Sequence, residues 1–516
     1  MQRTFKTALR VGVALGWIAM LPGTAAAKGT IYLADQDADG VNELYHVDMK
    51  TLAVTKLNGT LTSGGNVLRF DVDPKGKFVT YAADQNIDGV DELFHVSLKS
   101  LAATALNPAP VAGGDVAASL IDPKGKFVIY QADQNTDGVD ELFHVSLKTF
   151  AGTRLNPTLV AGGDVRGTLF GLPLGMQIDP KGKFVTYLAD QDTNDVVELY
   201  HVDTKTFAAS RLNAPLVSGG NVTIAQIDAK GKFVVYQADQ DTDGVDELYH
   251  VDLKTRVVTR LNAPLVTGGD VLTGLIDPKG KFVVYLADQD VNGDLELYHV
   301  DLKAFAVTQL NAEMIGGGDV GFVVLDPKGK FVTYTDEAWD LFHVDLKTFA
   351  VTQLNAEVVD AGAVFDPWQI DPKGKFVTYL DEDSELFHVD LKTFTRTRLN
   401  GTLTDGGAVS DDWWIDRKGK FVVYIADQET DGVDELYHVD LKTFAVTKLN
   451  PTFGGGGDVF DAAIDPKGKF VVYRADQDTD GTDELYRVDL KTFAVTRLNG
   501  ALAPGGNVSG FAITPR

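Results

Sequence analysis

The sequence predicts an all-β fold: a β-propeller of about ten four-stranded blades. Three observations predict it. A unit of about 49 residues recurs ten times. Each unit holds four short segments rich in Val, Ile, Phe, Tyr and Thr, divided by Gly, Pro, Asn and Asp. The two ends of the chain are complementary fragments of one unit.

The repeat is fixed by three markers. "KGKFV" starts at Lys75, Lys124, Lys181, Lys230, Lys279, Lys328, Lys373, Lys418 and Lys467, at intervals of 49, 57, 49, 49, 49, 45, 45 and 49. "EL(Y/F)(H/R)V", or its variant "DLFHV", occurs ten times, and so does a small-residue turn followed by Val, such as "GGDV" or "GGNV". In the repeat around Lys279 the four strands read "DVLTGLID", "KFVVYLAD", "ELYHVDL" and "AVTQL". No segment shows sustained helical spacing of apolar residues, which leaves antiparallel strands.

The last residues, "FAITPR", match the "IDPK" that ends a first strand, and "KGTIYLADQD" from Lys28 matches a second strand. The final strand is therefore expected to complete the first blade, tying the ends and removing two exposed sheet edges. Ten blades exceed the usual range of roughly four to eight. Two five-bladed rings are the alternative, but they need linkers. The longest extra segment, eight residues around "RGTLFGLPLGMQ" near Gly167, is not central.

Residues 1–27 read as a secretory signal. Arg3, Lys6 and Arg10 make a basic start, "VGVALGWIAML" is an apolar core too short to span a bilayer, and "TAAA" offers a cleavage site. Residues 28–516 form one domain, and the protein is expected in the periplasm or secreted, as a monomer. There is no cysteine, so disulfides and thiol chemistry are excluded. The formal net charge of −26 opposes binding to nucleic acid or to an anionic membrane and favours cations.

The acidic residues recur at fixed places in the loop between second and third strands. In "DQDTDGVDE", counted from Asp239, oxygen side chains stand at positions 1, 3, 5 and 9, Gly244 stands at 6, and Val245 at 7 offers a carbonyl. Eight loops keep this pattern. The sets are Asp35, Asp37, Asp39, Glu43; Asp84, Asn86, Asp88, Glu92; Asp133, Asn135, Asp137, Glu141; and Asp190, Asp192, Asn194, Glu198. The rest are Asp239, Asp241, Asp243, Glu247; Asp288, Asp290, Asn292, Glu296; Asp427, Glu429, Asp431, Glu435; and Asp476, Asp478, Asp480, Glu484. Asp195 stands where Gly belongs in the fourth, and Glu429 is long for its place. "TDEAWDLFHV" and "LDEDSELFHV" are four residues short and are expected to bind no ion. Alternating oxygens on a turning loop suit Ca²⁺, which takes about six to eight of them, better than Mg²⁺. Up to eight Ca²⁺ are expected. An Asp-Gly hairpin turn accounts for Gly at 6 without a metal, but not for acids at 1, 3, 5 and 9 together.

These loops resemble the calcium-binding hairpin loops of integrin α-subunit (FG-GAP) propellers, with Asp or Asn at 1, 3 and 5, Gly at 6 and an acid at 9. The whole repeat resembles the TolB-type propeller repeat. "DPKGKFVVYRADQDTDGTDELYRVDLKTFAVTRLN" follows its order of an Asp-Gly-like turn, an apolar strand, an "IYV-D"-like strand and an "RLT"-like close. That resemblance implies an exported, partner-binding propeller. The chain departs from the family in its number of blades and in having no α/β segment ahead of them, so particular partners do not carry over.

All nine histidines occupy one repeat position, from His46 to His438, and Arg487 takes the tenth. A duplicated strand position with a satisfied side chain explains this better than a metal ring. No nucleophile-elbow, zinc or phosphate-loop motif occurs. Departures from the repeat are the better guide to a specific site. Trp339, Trp368, Trp413 and Trp414 are read as lying in the repeats that lost the acidic loop, with "VFDPWQ" and "VSDDWW" on first strands. Asp366, Asp411 and Asp412 stand beside them, and aromatics with carboxylates suit a sugar, a peptide or a cation. Space-filling is the plainer role for the tryptophans. The expected function is a calcium-binding scaffold for a protein or glycan. A carboxylate-based hydrolase or lyase and a structural envelope protein are the alternatives.

Overall fold

The computed structural model describes residues 29–167, 175–311, 318–355, 363–453 and 456–515. The expected signal and part of the extra segment after Gly167 lie outside the described residues. Among the described residues every regular element is a strand, forty in all, arranged as ten four-stranded antiparallel sheets. The fold is the expected all-β propeller. In blade 6 the strands are Val271–Ile276, Phe282–Ala287, Glu296–Asp301 and Val307–Gln309. The other blades repeat this order, numbered here from the one that starts the chain.

Blade 1 is completed from the far end of the sequence. Val508–Ile513 pairs antiparallel with Gly29–Ala34, in the register Thr30↔Ile513, and Val508 sits opposite Ala34 past a bulge. Thr514 replaces the aspartate that ends a first strand elsewhere. Its Oγ1 accepts from Gly29 N at 3.0 Å and donates to Gly29 O at 2.9 Å. Without this strand the second strand of blade 1 would leave its backbone groups unpaired at a sheet edge.

Two compact units emerge, each of five blades. One holds blades 3 to 7; the other holds blades 8, 9, 10, 1 and 2. In both, the second strand is the buried one: Phe282–Ala287 is buried at all six positions. Its β-branched and aromatic residues pack on both faces, as a strand enclosed on two sides must. Phe233, Val235, Leu248 and Leu261 of blade 5 thereby meet Val271, Val283, Tyr285, Tyr298 and Val300 of blade 6 in one cluster. Each such side chain contributes about 1.5–3 kcal/mol through burial.

The histidines serve this packing. His250 lies over Phe233 with ring centroids 4.7 Å apart, and Phe305 of the next blade meets its edge at 6.0 Å. Burial pushes the imidazoles below their ordinary range, His201 to about 4 with Arg256 beside it. The expectation of satisfied side chains needs correcting for two of them. Nδ1 of His144 and of His388 is buried without a hydrogen-bond partner among the described residues.

Candidate functional site

The strand order places both the acidic loops and the "GG(D/N)V" turns at one end of each blade. All eight acidic loops fold alike. The position-1 aspartate accepts, through Oδ2, the N–H of position 6 at 2.8–3.2 Å. The residue at 6 has positive φ, 71° at Gly244 and 63° at Asp195, so the irregular fourth loop turns like the others. Aspartate tolerates this region better than most side chains.

Oδ1 of the same aspartate has a second task. It accepts the N–H of the residue after the glycine pair at the entry to its own blade, as in Asp190 from Asp164 N at 2.6 Å and Asp239 from Asn221 N. Where that residue is Asp or Asn, its side chain then reaches back to the previous blade: Asp270 Oδ1 accepts from Asp246 N at 2.8 Å, and Asn221 Oδ1 from Val197 N at 2.8 Å. The glycine itself is required twice over. Gly219 has φ 93°, and a Cβ there would lie 2.5 Å from Asp243 Oδ1. The recurrent turn and the recurrent acidic loop are thus two halves of one interlock.

In six of the eight loops position 9 is an ion pair between a buried carboxylate and a more exposed base. Arg260 Nη1 lies 2.7 Å from Glu247 Oε1, and Tyr249 OH donates to Glu247 Oε2 at 2.7 Å. Arg154–Glu141, Arg211–Glu198 and Arg497–Glu484 repeat the pair at 2.5–2.7 Å, and Lys56 and Lys448 serve Glu43 and Glu435. Glu296 is served by Gln309 instead, at 3.0 Å. Blade 8 keeps Arg398–Glu385 at 2.6 Å although its acidic loop is missing. The pair therefore needs no metal to hold it.

Positions 3 and 5 remain, and all sixteen of these side chains are exposed. Among the described residues no three acidic or histidine side chains already converge as a cation shell. The donor set nevertheless suits a hard cation in part: the 3 and 5 oxygens, the carbonyl at 7 and a remaining lone pair of position-1 Oδ1. Position 1 is primarily a backbone organiser here, and position 9 is engaged by a base in six loops, by Gln309 at Glu296 and by the Asn86 N–H at Glu92.

The second region lies on first strands. The shortened loops of blades 7 and 8 are five residues short rather than four, because Thr335 pairs with Leu341 and Leu380 with Leu386, where Leu286 pairs with Leu297 in blade 6. One extra residue in the next first strand restores the 45-residue interval. That residue makes a wide bulge, between Phe365 and Gln369 in blade 8 and between Val409 and Trp413 in blade 9. Nothing is described of the Asp366 side chain.

The blade 9 bulge turns Asp411 and Asp412 outward, and both are exposed. Bulges commonly re-aim side chains beside functional sites. The tryptophans divide. Trp368 and Trp413 are each 2 % exposed, and Trp413 Nε1 donates to Thr378 Oγ1 at 2.8 Å, so these two fill the core. Trp414 is half-buried, and Trp339 is 37 % exposed on the short loop of blade 7. Trp413 and Trp414 belong to blade 9, whose acidic loop is intact, which corrects their assignment to the shortened repeats.

Blade 10 adds residues that sequence reasoning passed over. Phe460 is exposed on its first strand, and half-buried Asp461 beside it pairs with Arg474 at 3.5 Å. Arg474 also binds Asp483 at 2.6 Å and lies over the Phe460 ring at 5.1 Å. Burial raises the Asp461 carboxyl, Arg474 opposes this, and the charge of Asp412 adds to it. The signal was present in the sequence, since "VVYRAD" carries Arg where other repeats carry Leu, Ile, Gln, Ala or Thr.

No family model matches the chain, and a search of curated proteins found no match. Solved structures do resemble it. Porphyromonas gingivalis dipeptidyl peptidase 4 is 11 % identical with a TM-score of 0.49, covering 76 % of this chain and 62 % of that one. TolB from Acinetobacter baumannii is 16 % identical with a TM-score of 0.29, over 58 % and 66 % of the two chains. An oligogalacturonate lyase in complex with manganese is 13 % identical with a TM-score of 0.37, over 80 % and 98 %. The chain thus spans less than two thirds of the peptidase. These likenesses concern the propeller fold alone.

Proposed function

We propose that the chain is an exported, non-enzymatic propeller that takes divalent cations, Ca²⁺ foremost, in its eight acidic loops and offers the blade 9–10 first strands to a protein or glycan. One observation carries the cation reading. In every acidic loop the oxygens at 3 and 5 stand exposed on a turn already set by positions 1 and 6. A cation held there gains those oxygens, the position-7 carbonyl and water. Because position 9 stays with its base in six of the eight loops, those sites are expected to be weak, around 10⁻⁴–10⁻³ M as in extracellular modules.

Melting curves with EDTA and with excess Ca²⁺ test this, beside calorimetric titration of the metal. At about ten times Kd each occupied site adds roughly 1.4 kcal/mol, so the transition moves upward by several degrees. An unchanged melting temperature with no heat of binding removes the cation reading.

The seat for a partner combines Asp411, Asp412, Trp414 and Phe460, an acidic surface with aromatic faces. Quenching of Trp fluorescence by glycans or basic peptides, lost on Asp412→Asn, supports it. A second reading, a carboxylate-based hydrolase or lyase, draws on the raised carboxyl of Asp461 within reach of Asp412's charge. Turnover abolished by Asp461→Asn favours that reading; retention without turnover favours binding.

A further inference from the structure

Each blade has two chemically opposite ends. In blade 5 the acidic loop from Asp239 to Glu247 occupies one end, while "KGK" at Lys230–Lys232 and "KTR" at Lys254–Arg256 occupy the other. Antiparallel order makes this general, because the first-to-second and third-to-fourth turns always share an end. In blade 5 the lysines of both turns are exposed, and the lysine of the third-to-fourth turn is exposed in every blade. Within a unit these basic ends lie side by side: Lys181 Nζ donates to Lys230 O at 2.5 Å and Lys279 Nζ to Lys328 O at 2.6 Å. The other unit repeats the tie, with Lys373 Nζ to Lys418 O at 2.5 Å.

Exposed apolar groups follow the same division. Among the described residues, all the exposed large apolar side chains except Leu68, Leu272 and Phe460 lie at a blade end. The basic ends carry residues such as Phe150, Phe305, Phe349 and Phe444, about 40 % exposed, and the acidic ends Ile87, Val111, Val160, Val266 and Val291. The phenylalanines sit at positive φ, 53° at Phe305, in a region bulky side chains normally avoid. One edge of such a ring rests on the preceding blade's histidine, as Phe349 on His299 at 5.5 Å.

We propose that the basic, phenylalanine-bearing blade ends of one copy dock on the acidic, aliphatic-bearing blade ends of a second copy. The argument is charge complementarity joined to apolar surface on both sides, repeated blade after blade. Like ends repel, so the contact is head-to-tail. Such a contact uses two different surfaces, leaves one of each free, and therefore propagates unless it closes on itself. It replaces the monomer expected from sequence.

The test is sedimentation of the full chain in EDTA, which removes cation binding from the outcome. Between about 1 and 100 µM protein in 100 mM salt, the weight-average mass is expected to rise at least about twofold through a series of species, and to fall back to monomer in 500 mM salt, where screening is strong. Lys254→Glu, Lys303→Glu and Lys347→Glu together reverse three exposed basic tips whose side chains make no hydrogen bond or ion pair among the described residues, and are expected to abolish the rise with the melting temperature unchanged. Adding Asp192→Lys, Asp241→Lys and Asp290→Lys to that triple variant is expected to restore it. A monomer throughout, association indifferent to the triple variant, or a single closed dimer overturns the proposal.

Discussion

Replacing Asp476 with alanine separates the structural oxygens of an acidic loop from the free ones. Asp476 is 4 % exposed and accepts two backbone N–H groups, from Gly481 at 2.8 Å and from Asp458. Hydrogen bonds to a charged acceptor are worth about 1.5–3 kcal/mol each, and both donors are orphaned by the change. Relief of repulsion toward Asp483, whose carboxyl Asp476 pushes upward, offsets part of the loss. A net cost of roughly 2–4 kcal/mol follows. In a five-blade unit unfolding together this lowers the melting temperature by about 4–10 °C. The comparison is Asp478→Asn with Asp480→Asn, which alters exposed carboxylates and is expected within about 0.5 kcal/mol of the parent. Differential scanning calorimetry in EDTA reads both, and hydrogen exchange at 476–484 and 456–459 localises the first. If the double variant loses as much as Asp476→Ala in EDTA, or Asp476→Ala melts with the parent, the division of labour within the loop is wrong.

Gly219→Ala forces a Cβ to within 2.5 Å of Asp243 Oδ1 at φ 93°, and a loss of about 1–3 kcal/mol is expected by denaturant titration. Thr514→Val removes both hydrogen bonds to Gly29; faster proteolysis at the chain ends, ahead of any change in the blade cores, is the expected result. Trp413→Phe leaves Thr378 Oγ1 without the indole donor and opens a void, costing about 1–3 kcal/mol, whereas Trp414→Ala costs less. His201 titrates near 4 when folded and near 6.5 when unfolded, so the unfolded chain takes up the proton first. Its contribution is complete above about pH 6.5 and is lost as pH falls toward 4, at most about 1–3 kcal/mol. The other imidazoles are shifted the same way by burial, and Arg256→Ala is expected to make the acid limb of a stability profile shallower by relieving His201.

The blades were legible because repetition multiplies a weak signal: one "KFVVYLAD" suggests a strand, but nine such segments, eight of them in step with a histidine, define a sheet. The joining of the ends was legible for the same reason, since "FAITP" and "GTIYLA" each lack what the other supplies. The partners of the loop carboxylates were not read, because they depend on register across a hairpin. Glu247 and Arg260 are thirteen residues apart, and only the pairing of third and fourth strands brings them together. Comparing repeats at that spacing would have found them, for Gln309 replaces the base opposite Glu296 and Ala105 opposite Glu92. Position 2 was passed over likewise. Gln240 accepts from Tyr236 OH at 2.6 Å, and in blade 8, where the loop is cut, Tyr379 OH is buried without a partner among the described residues. The bulges were hidden by arithmetic, a five-residue deletion and a one-residue insertion summing to a single shorter interval.

Sorting the loop oxygens by task changes what their abundance means. Carboxylates at 1 and 9 are accounted for by folding: one organises the turn and the entry of its own blade, the other neutralises a base in six loops and accepts from Gln309 or a loop N–H in the remaining two. Position 3 meets a lysine at Asp37 and Glu429, a tyrosine at Asp192 and Asp290 and the position-9 carboxylate at Asn135, whereas position 5 makes fewer contacts, Asn194 to Asp195 at 2.8 Å among them. Crowded, exposed like charges only partly offset by such contacts destabilise the folded chain. Folding alone would let positions 3 and 5 drift to Ser, Thr or Lys, yet every intact loop keeps an oxygen-bearing acid or amide at both. The two loops that lost them lost the whole segment and retained the ion pair at position 9 or its Asp340–Asn355 substitute. Retention of oxygens at 3 and 5 is what the proposed cation sites require, and melting Asp478→Asn with Asp480→Asn in Ca²⁺ beside the same variant in EDTA tests it: a Ca²⁺-dependent gain seen in the parent and reduced in the variant is the expected result.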